Sequence, residues 1–112
     1  YNKYLNDITG LQLPTELEWA KNVYWMYALT IESTFGITRD ELIKGLHEKD
    51  IQTRTFFCPM NMQPIIKSIK GFNNLACPVA EKIWETGLYL PSGPNLNDND
   101  IKYICESIKG LV

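Results

Sequence analysis

One segment of this 112-residue chain concentrates side chains able to do chemistry: Arg54, Phe56, Phe57, Met60, Asn61 and Gln63, within the run TRTFFCPMNMQP at 53–64. An arginine's planar guanidinium makes paired, charge-assisted hydrogen bonds to a carboxylate or a phosphate. Phe56, Phe57, Met60 and Met62 can wall an apolar or sugar-ring pocket beside that charge. If residues 51–57 are extended, Arg54 and Phe56 leave the strand on one side, and Thr53, Thr55 and Phe57 on the other. Pro59 and Pro64 restrict the loop at both ends and favour a preformed wall. The plainer reading is a surface arginine beside core aromatics, because aromatics on strands usually pack inside. Trp25 and Tyr27, two apart on another extended run, are a second candidate pair that points one way. Core packing explains them as well, although their N–H and O–H groups need partners.

Other chemistries find little support. His47 is the only histidine, and the residues around it form no arrangement that suggests general-base work. The nine lysines are scattered, and none stands in a motif that makes it an imine-forming nucleophile. There is no GxGxxG, no Walker loop and no GxSxG. Cys58, Cys77 and Cys105 are odd in number and far apart, which reads as reduced thiols and no metal centre. A net charge of -2 and a pI near 5.3 argue against a nucleic-acid partner. No apolar run approaches the ~20 residues of a membrane span, so no membrane partner is expected. The opening Tyr1-Asn2-Lys3-Tyr4 is no signal peptide and lacks an initiator Met. A cytoplasmic location is expected, in an excised piece or a processed product.

The elements that must position these residues follow from periodicity and punctuation. Residues 8–13 form an apolar run stopped by Pro14, and residues 14–22 a turn with a brief helical piece. Residues 23–31 (VYWMYALTI) carry the strongest strand signal, apolar on both faces and therefore central. Thr38 and Glu41 have capping-box spacing, ahead of a helix with Leu42, Ile43 and Leu46 inside and an end near Asp50. A strand over 51–57 follows, then a short helix through Ile65, Ile66 and Ile69 and a loop at Asn73-Asn74. Pro78 opens another helix, with Val79, Ala80, Ile83 and Trp84 as its apolar face and Gly87 as its stop. Residues 88–90 are a short strand. The last helix begins at Asn97, stapled by Leu96 and Ile101, with Ile104, Cys105 and Ile108 inside. This order predicts one α/β domain of the α+β type over 1–112. It is a small two-layer sandwich, with a mixed or mostly antiparallel sheet and helices on one face. Trp25 or Trp84 is expected in its core.

Three blocks, YWMYAL at 24–29, GITRDELIKGLHEKDIQTRTFFCPMNMQP at 36–64 and CPVAEKIWETGLYLPSG at 77–93, resemble the C-terminal part of the DegT/StrS-type sugar aminotransferases. The likeness runs from Leu11 to Ile108. It is nearest the perosamine-synthase branch, which aminates nucleotide-linked 4-keto-6-deoxy sugars. The resemblance implies a type I aminotransferase fold, pyridoxal phosphate as cofactor, a nucleotide-sugar substrate, glutamate as amino donor and a homodimer. It also implies that this chain is the small domain, with the Schiff-base lysine and most cofactor contacts in a large N-terminal domain outside it. In isolation the chain would then be inactive. By the same resemblance Arg54, Phe56 and Phe57 match the TRxFF block that faces the cleft. Pro59, Met60, Gln63 and Pro64 match the PMHxQP block, Trp25 and Tyr27 the WMY strand, and Leu90, Pro91 and Ser92 the LPS turn. Thr55 stands where many such sequences have Pro, and Asn61 where they often have His, which leaves the sugar's identity open.

The competing reading is a non-enzymatic small-molecule-binding regulatory module with a ferredoxin-like sandwich, which composition and element order also permit. An RNA-binding sandwich is disfavoured by the acidic balance and the lack of an RNP-type block.

Overall fold

The computed structural model describes residues 1–72 and 74–112. In chain order the elements are α1 (Asn2–Leu5), β1 (Leu11–Gln12), β2 (Tyr27–Ile31), α2 (Arg39–His47), β3 (Arg54–Thr55), α3 (Pro64–Lys67), α4 (Pro78–Thr86), β4 (Gly87–Leu90) and α5 (Asp98–Lys109). Short 3-10 turns occupy Ser33–Phe35 and Met60–Met62. The four strands form one sheet in the order β1-β2-β4-β3, with every neighbouring pair antiparallel. The expected small α/β sandwich with a largely antiparallel sheet is the fold observed.

Alternation along the two central strands decides where the core lies. Tyr27, Leu29 and Ile31 of β2, with Leu88 and Leu90 of β4, are buried on one face. Leu42 and Leu46 of α2, Ile104, Cys105 and Ile108 of α5 and Leu5 of α1 close over that face. Both main helices start as their sequences require. Thr38 and Glu41 exchange hydrogen bonds in a capping box, and so do Asn97 and Asp100. Asp50, at φ 59, takes the left-handed conformation expected where α2 ends, and it turns Ile51 directly into the core. Leu88 is wholly buried at the centre of this packing. Its replacement by alanine is expected to cost about 2–5 kcal/mol, measured as a shift of the urea midpoint; a loss near zero would mean that the core has been misplaced.

Several elements are shorter than their sequence signals. The strand expected over 23–31 starts only at Tyr27, because Tyr24 has a left-handed φ of 49 and breaks the extension. Trp25 therefore does not share the core face of Tyr27 and is 75% exposed. The expected strand over 51–57 pairs only at Arg54–Thr55, and that over 8–13 only at Leu11–Gln12. Residues 14–22 hold no helix; reciprocal bonds between Leu17 and Ala20 make a tight turn instead. The short helix expected through Ile65, Ile66 and Ile69 is α3, a single turn. Helix α1 carried no clear sequence signal. In α4 the apolar stripe buries no residue, and Val79 is 72% exposed. Trp84 is half-buried, so neither candidate tryptophan is a core residue. Gly87 does not cap α4 in a left-handed state but is the first residue of β4. The loop expected at Asn73-Asn74 falls partly outside the described residues.

Candidate functional site

The second face of the sheet is defined by register. Arg54 pairs with Tyr89, and Tyr89 pairs on its other side with Ala28. Residues opposite one another in antiparallel strands share a face. Arg54, Tyr89 and Ala28 therefore form one row on the face away from Leu29 and Leu88. Phe56, two residues beyond Arg54, stays on that side and stacks on Tyr89 at 4.5 Å between ring centroids. For Arg54 and Phe56 this is the alternation the sequence predicts; Phe57, expected on the opposite side, lies past the paired strand and comes within 6.4 Å of the Tyr89 ring. Gly87 makes the stack possible: a Cβ there would sit 2.6 Å from the Phe56 ring and 2.5 Å from the Ile83 carbonyl oxygen.

At the end of the sheet where β4 leaves and β2 and β3 enter there is a cleft of about 370 Å³. Its walls include Trp25, Thr53, Arg54, Tyr89, Pro91 and Ser92. The size is within the range of small-molecule sites, roughly 300–1,000 Å³. The Ser92 hydroxyl donates to the Trp25 carbonyl oxygen at 3.3 Å and ties the turn after β4 to the segment before β2. The one ion pair among the described residues joins Arg39 to Asp40, so the exposed Arg54 guanidinium is left for solvent or an anion. The Thr53 hydroxyl oxygen is buried beside it with no partner among the described residues. An arginine, an unpaired hydroxyl and aromatic surface suit a ligand with an anionic group and a polyhydroxylated or planar ring.

The other expected site residues are distributed unevenly. Trp25 and Arg54 meet in the cleft. Phe57 is 73% exposed and 6.4 Å from the Tyr89 ring, and Met60 is exposed on the loop that follows. Tyr27 does not join them. It is buried, its hydroxyl donates to Asn2 Oδ1, and burial raises its pKa, so it stays a neutral phenol. It lines a neighbouring groove with Tyr1 and Tyr24. Asn61 is turned inward at 6% exposure, with its Nδ2 donating to the Leu75 carbonyl at 3.0 Å and to Glu81 Oε1 at 2.5 Å. Gln63 Nε2 donates to the Cys58 carbonyl at 3.3 Å. In this structure both amides hold the shape of the loop after β3 and do not face the cleft. Tyr89, Thr53 and Gly87 are not among the site residues that the sequence singles out. Their part depends on cross-strand register, which no local signal carries.

Glu81 of α4 is the pin of that loop. The Cys77 amide and the Asn61 side chain both donate to its carboxylate, and in that order they lower its pKa from 4.5. A carboxyl whose pKa is lower in the folded than in the unfolded chain stabilises fully above the unfolded value and loses that effect as pH falls through the folded one. Hydrogen-exchange protection of the Cys77 amide is expected to fall below about pH 4.5 while that of α2 and α5 persists. Glu81→Gln should abolish this pH dependence; an unchanged profile would show that the pin is not electrostatic.

The family model for DegT/DnrJ/EryC1/StrS aminotransferases matches residues 1–109. The chain belongs to this aminotransferase family. It is 31% identical to the GDP-perosamine synthase of Vibrio cholerae over 108 residues, which is 95% of this chain and 29% of that protein. Among solved structures it is similar to Helicobacter pylori PseC, an aminotransferase involved in the biosynthesis of pseudoaminic acid, with a TM-score of 0.86 and 19% identity over 99% of this chain and 29% of that one. It is likewise similar to the PLP form of Spr1654, a putative sugar aminotransferase from Streptococcus pneumoniae, with a TM-score of 0.80 and 20% identity over 99% of this chain and 28% of that one. At these identities the structures establish the shared fold. The chain spans less than a third of the length of the relatives it matches. No helix among the described residues is long and apolar enough to cross a membrane.

Proposed function

We propose that this chain is the substrate-side domain of an enzyme that transfers an amino group from glutamate to a nucleotide-linked 4-keto-6-deoxy sugar. The observation that carries the reading is the cleft beside Arg54, in a chain whose relatives include GDP-perosamine synthases. Arg54 binds the anionic part of the substrate through its guanidinium fork. Trp25 and Tyr89 give the aromatic wall of the cleft, and Trp25 is exposed on this chain by itself. The enzyme works as a homodimer in the cytoplasm, with pyridoxal phosphate supplying the electron sink for amino transfer.

The residues of this chain do not fit the anchoring of that cofactor. An imine needs a lysine amine, and among the described residues no lysine lines the cleft. The lysine is therefore assigned to a large domain outside this chain, whose own part is to bind and orient the sugar. Two measurements test the reading. The complete enzyme should aminate a GDP- or dTDP-linked 4-keto-6-deoxyhexose with glutamate as donor. The 112-residue chain alone should form no imine absorbance with pyridoxal phosphate that survives dialysis. Failure of the complete enzyme to turn over any such sugar rejects the substrate class. A stable imine that one lysine substitution abolishes rejects the division of labour.

A further inference from the structure

We propose that Tyr89 is a specificity-determining residue of this cleft, its ring the platform for the sugar ring and its hydroxyl the partner of a sugar hydroxyl. The inference rests on the substrate class given above. Tyr89 occupies the centre of the second face, with Arg54 opposite on β3 and Ala28 opposite on β2. Its ring leans along the diagonal to Phe56, where the two stack at 4.5 Å with an interplanar angle of 25°. Diagonal neighbours on antiparallel strands are within reach of aromatic side chains. That lean has two consequences. Phe56, itself fitted over the missing Cβ of Gly87, fixes the height and tilt of the Tyr89 ring. Ala28 offers only a methyl on the other flank, and the ring, half-buried with Phe57 6.4 Å away, lines the cleft.

The hydroxyl adds the polar half of the argument. Among the described residues, the hydroxyls of Tyr1, Tyr27 and Tyr103 each donate a hydrogen bond, whereas that of Tyr89, like that of Tyr4, takes part in none, and of these two only Tyr89 lines the cleft. A tyrosine ring in a cleft normally presents an apolar body and finds a partner for its polar tip. A pyranose matches both, because its C–H face is apolar and its rim carries hydroxyls. Arg54, on the next strand in the same row, stands ready for the charged group to which the sugar is linked. The ring position selects the sugar, and the arginine holds its anionic tail.

The test uses the complete enzyme and follows the two half-reactions separately, one with glutamate and one with GDP- or dTDP-linked 4-keto-6-deoxyhexose. Tyr89→Phe removes only the hydroxyl. The KM for the nucleotide sugar should rise about three- to tenfold, the size of one neutral hydrogen bond. The glutamate half-reaction and the melting temperature should stay unchanged. Tyr89→Leu also removes the platform and should lower kcat/KM for the sugar by about thirtyfold or more. Wild-type kinetics in Tyr89→Phe would overturn the inference and leave the substrate class standing. An equal fall in both half-reactions would also overturn it, by showing a merely structural tyrosine. A wild-type enzyme that accepts no such sugar would sink the substrate class first, and this inference with it.

Discussion

Arg54→Ala in the complete enzyme is expected to lower kcat/KM for the nucleotide sugar by about 10- to 150-fold, the range of one hydrogen bond to a charged group. The side chain is exposed, makes no ion pair among the described residues and borders the cleft together with Trp25 and Ser92. Its loss therefore removes binding without opening the core, and the urea midpoint should not move. Most of the effect should appear in KM if the arginine holds the anionic tail equally in the ground and transition states. Arg54→Lys should recover only part of the loss, because an ammonium is a point charge without the planar fork. Steady-state kinetics on both variants decide the matter. Wild-type kinetics in Arg54→Ala would withdraw the site assignment and leave the family intact.

Gly10→Ala is expected to damage the fold severely, costing about 3 kcal/mol or more from backbone strain and overpacking together. Gly10 has φ 78, a region that alanine enters at a cost. A Cβ there would lie 2.3 Å from the Phe35 amide nitrogen and 2.7 Å from the Phe35 Cα, both backbone atoms that cannot swing aside. The Gly10 carbonyl also accepts from the Glu32 amide at 2.8 Å, which locks the start of β1 to the end of β2. Forcing these apart shifts Phe35, a buried core residue. Thermal unfolding of the purified variant measures the effect; a melting temperature within a degree or two of wild type would show that the turn relaxes more easily than its geometry implies. Gly36, by contrast, has φ 96 but nothing within 4 Å of a Cβ, so alanine there meets conformational strain alone and should cost less.

The amino-acid sequence by itself determined the two main helices, α2 and α5, and their starts. Thr38 with Glu41 and Asn97 as a cap are local signals, and the stripes Leu42–Leu46 and Ile104–Ile108 need only the helical repeat to be recognised. It also determined the family, through three blocks in a fixed order. From alternation alone it put Arg54 and Phe56 on one side of a strand, as the stack on Tyr89 bears out. The tertiary structure decided what local signals overstate. Strand propensity in VYWMYALTI extends to Val23, but Tyr24 in a left-handed conformation ends the strand at Tyr27 and sends Trp25 to the cleft and Tyr27 to the core. Asn61 looks like a ligand residue in sequence, yet a carboxylate 20 residues away takes its amide inward. Tyr89 and Gly87 acquire their place from β3, which lies more than 30 residues earlier in the chain and reaches them only through sheet register. Caps and periodicities are set within a turn or two of the backbone. A cleft is set by which strands lie side by side, and that is settled by the burial of the whole core at once.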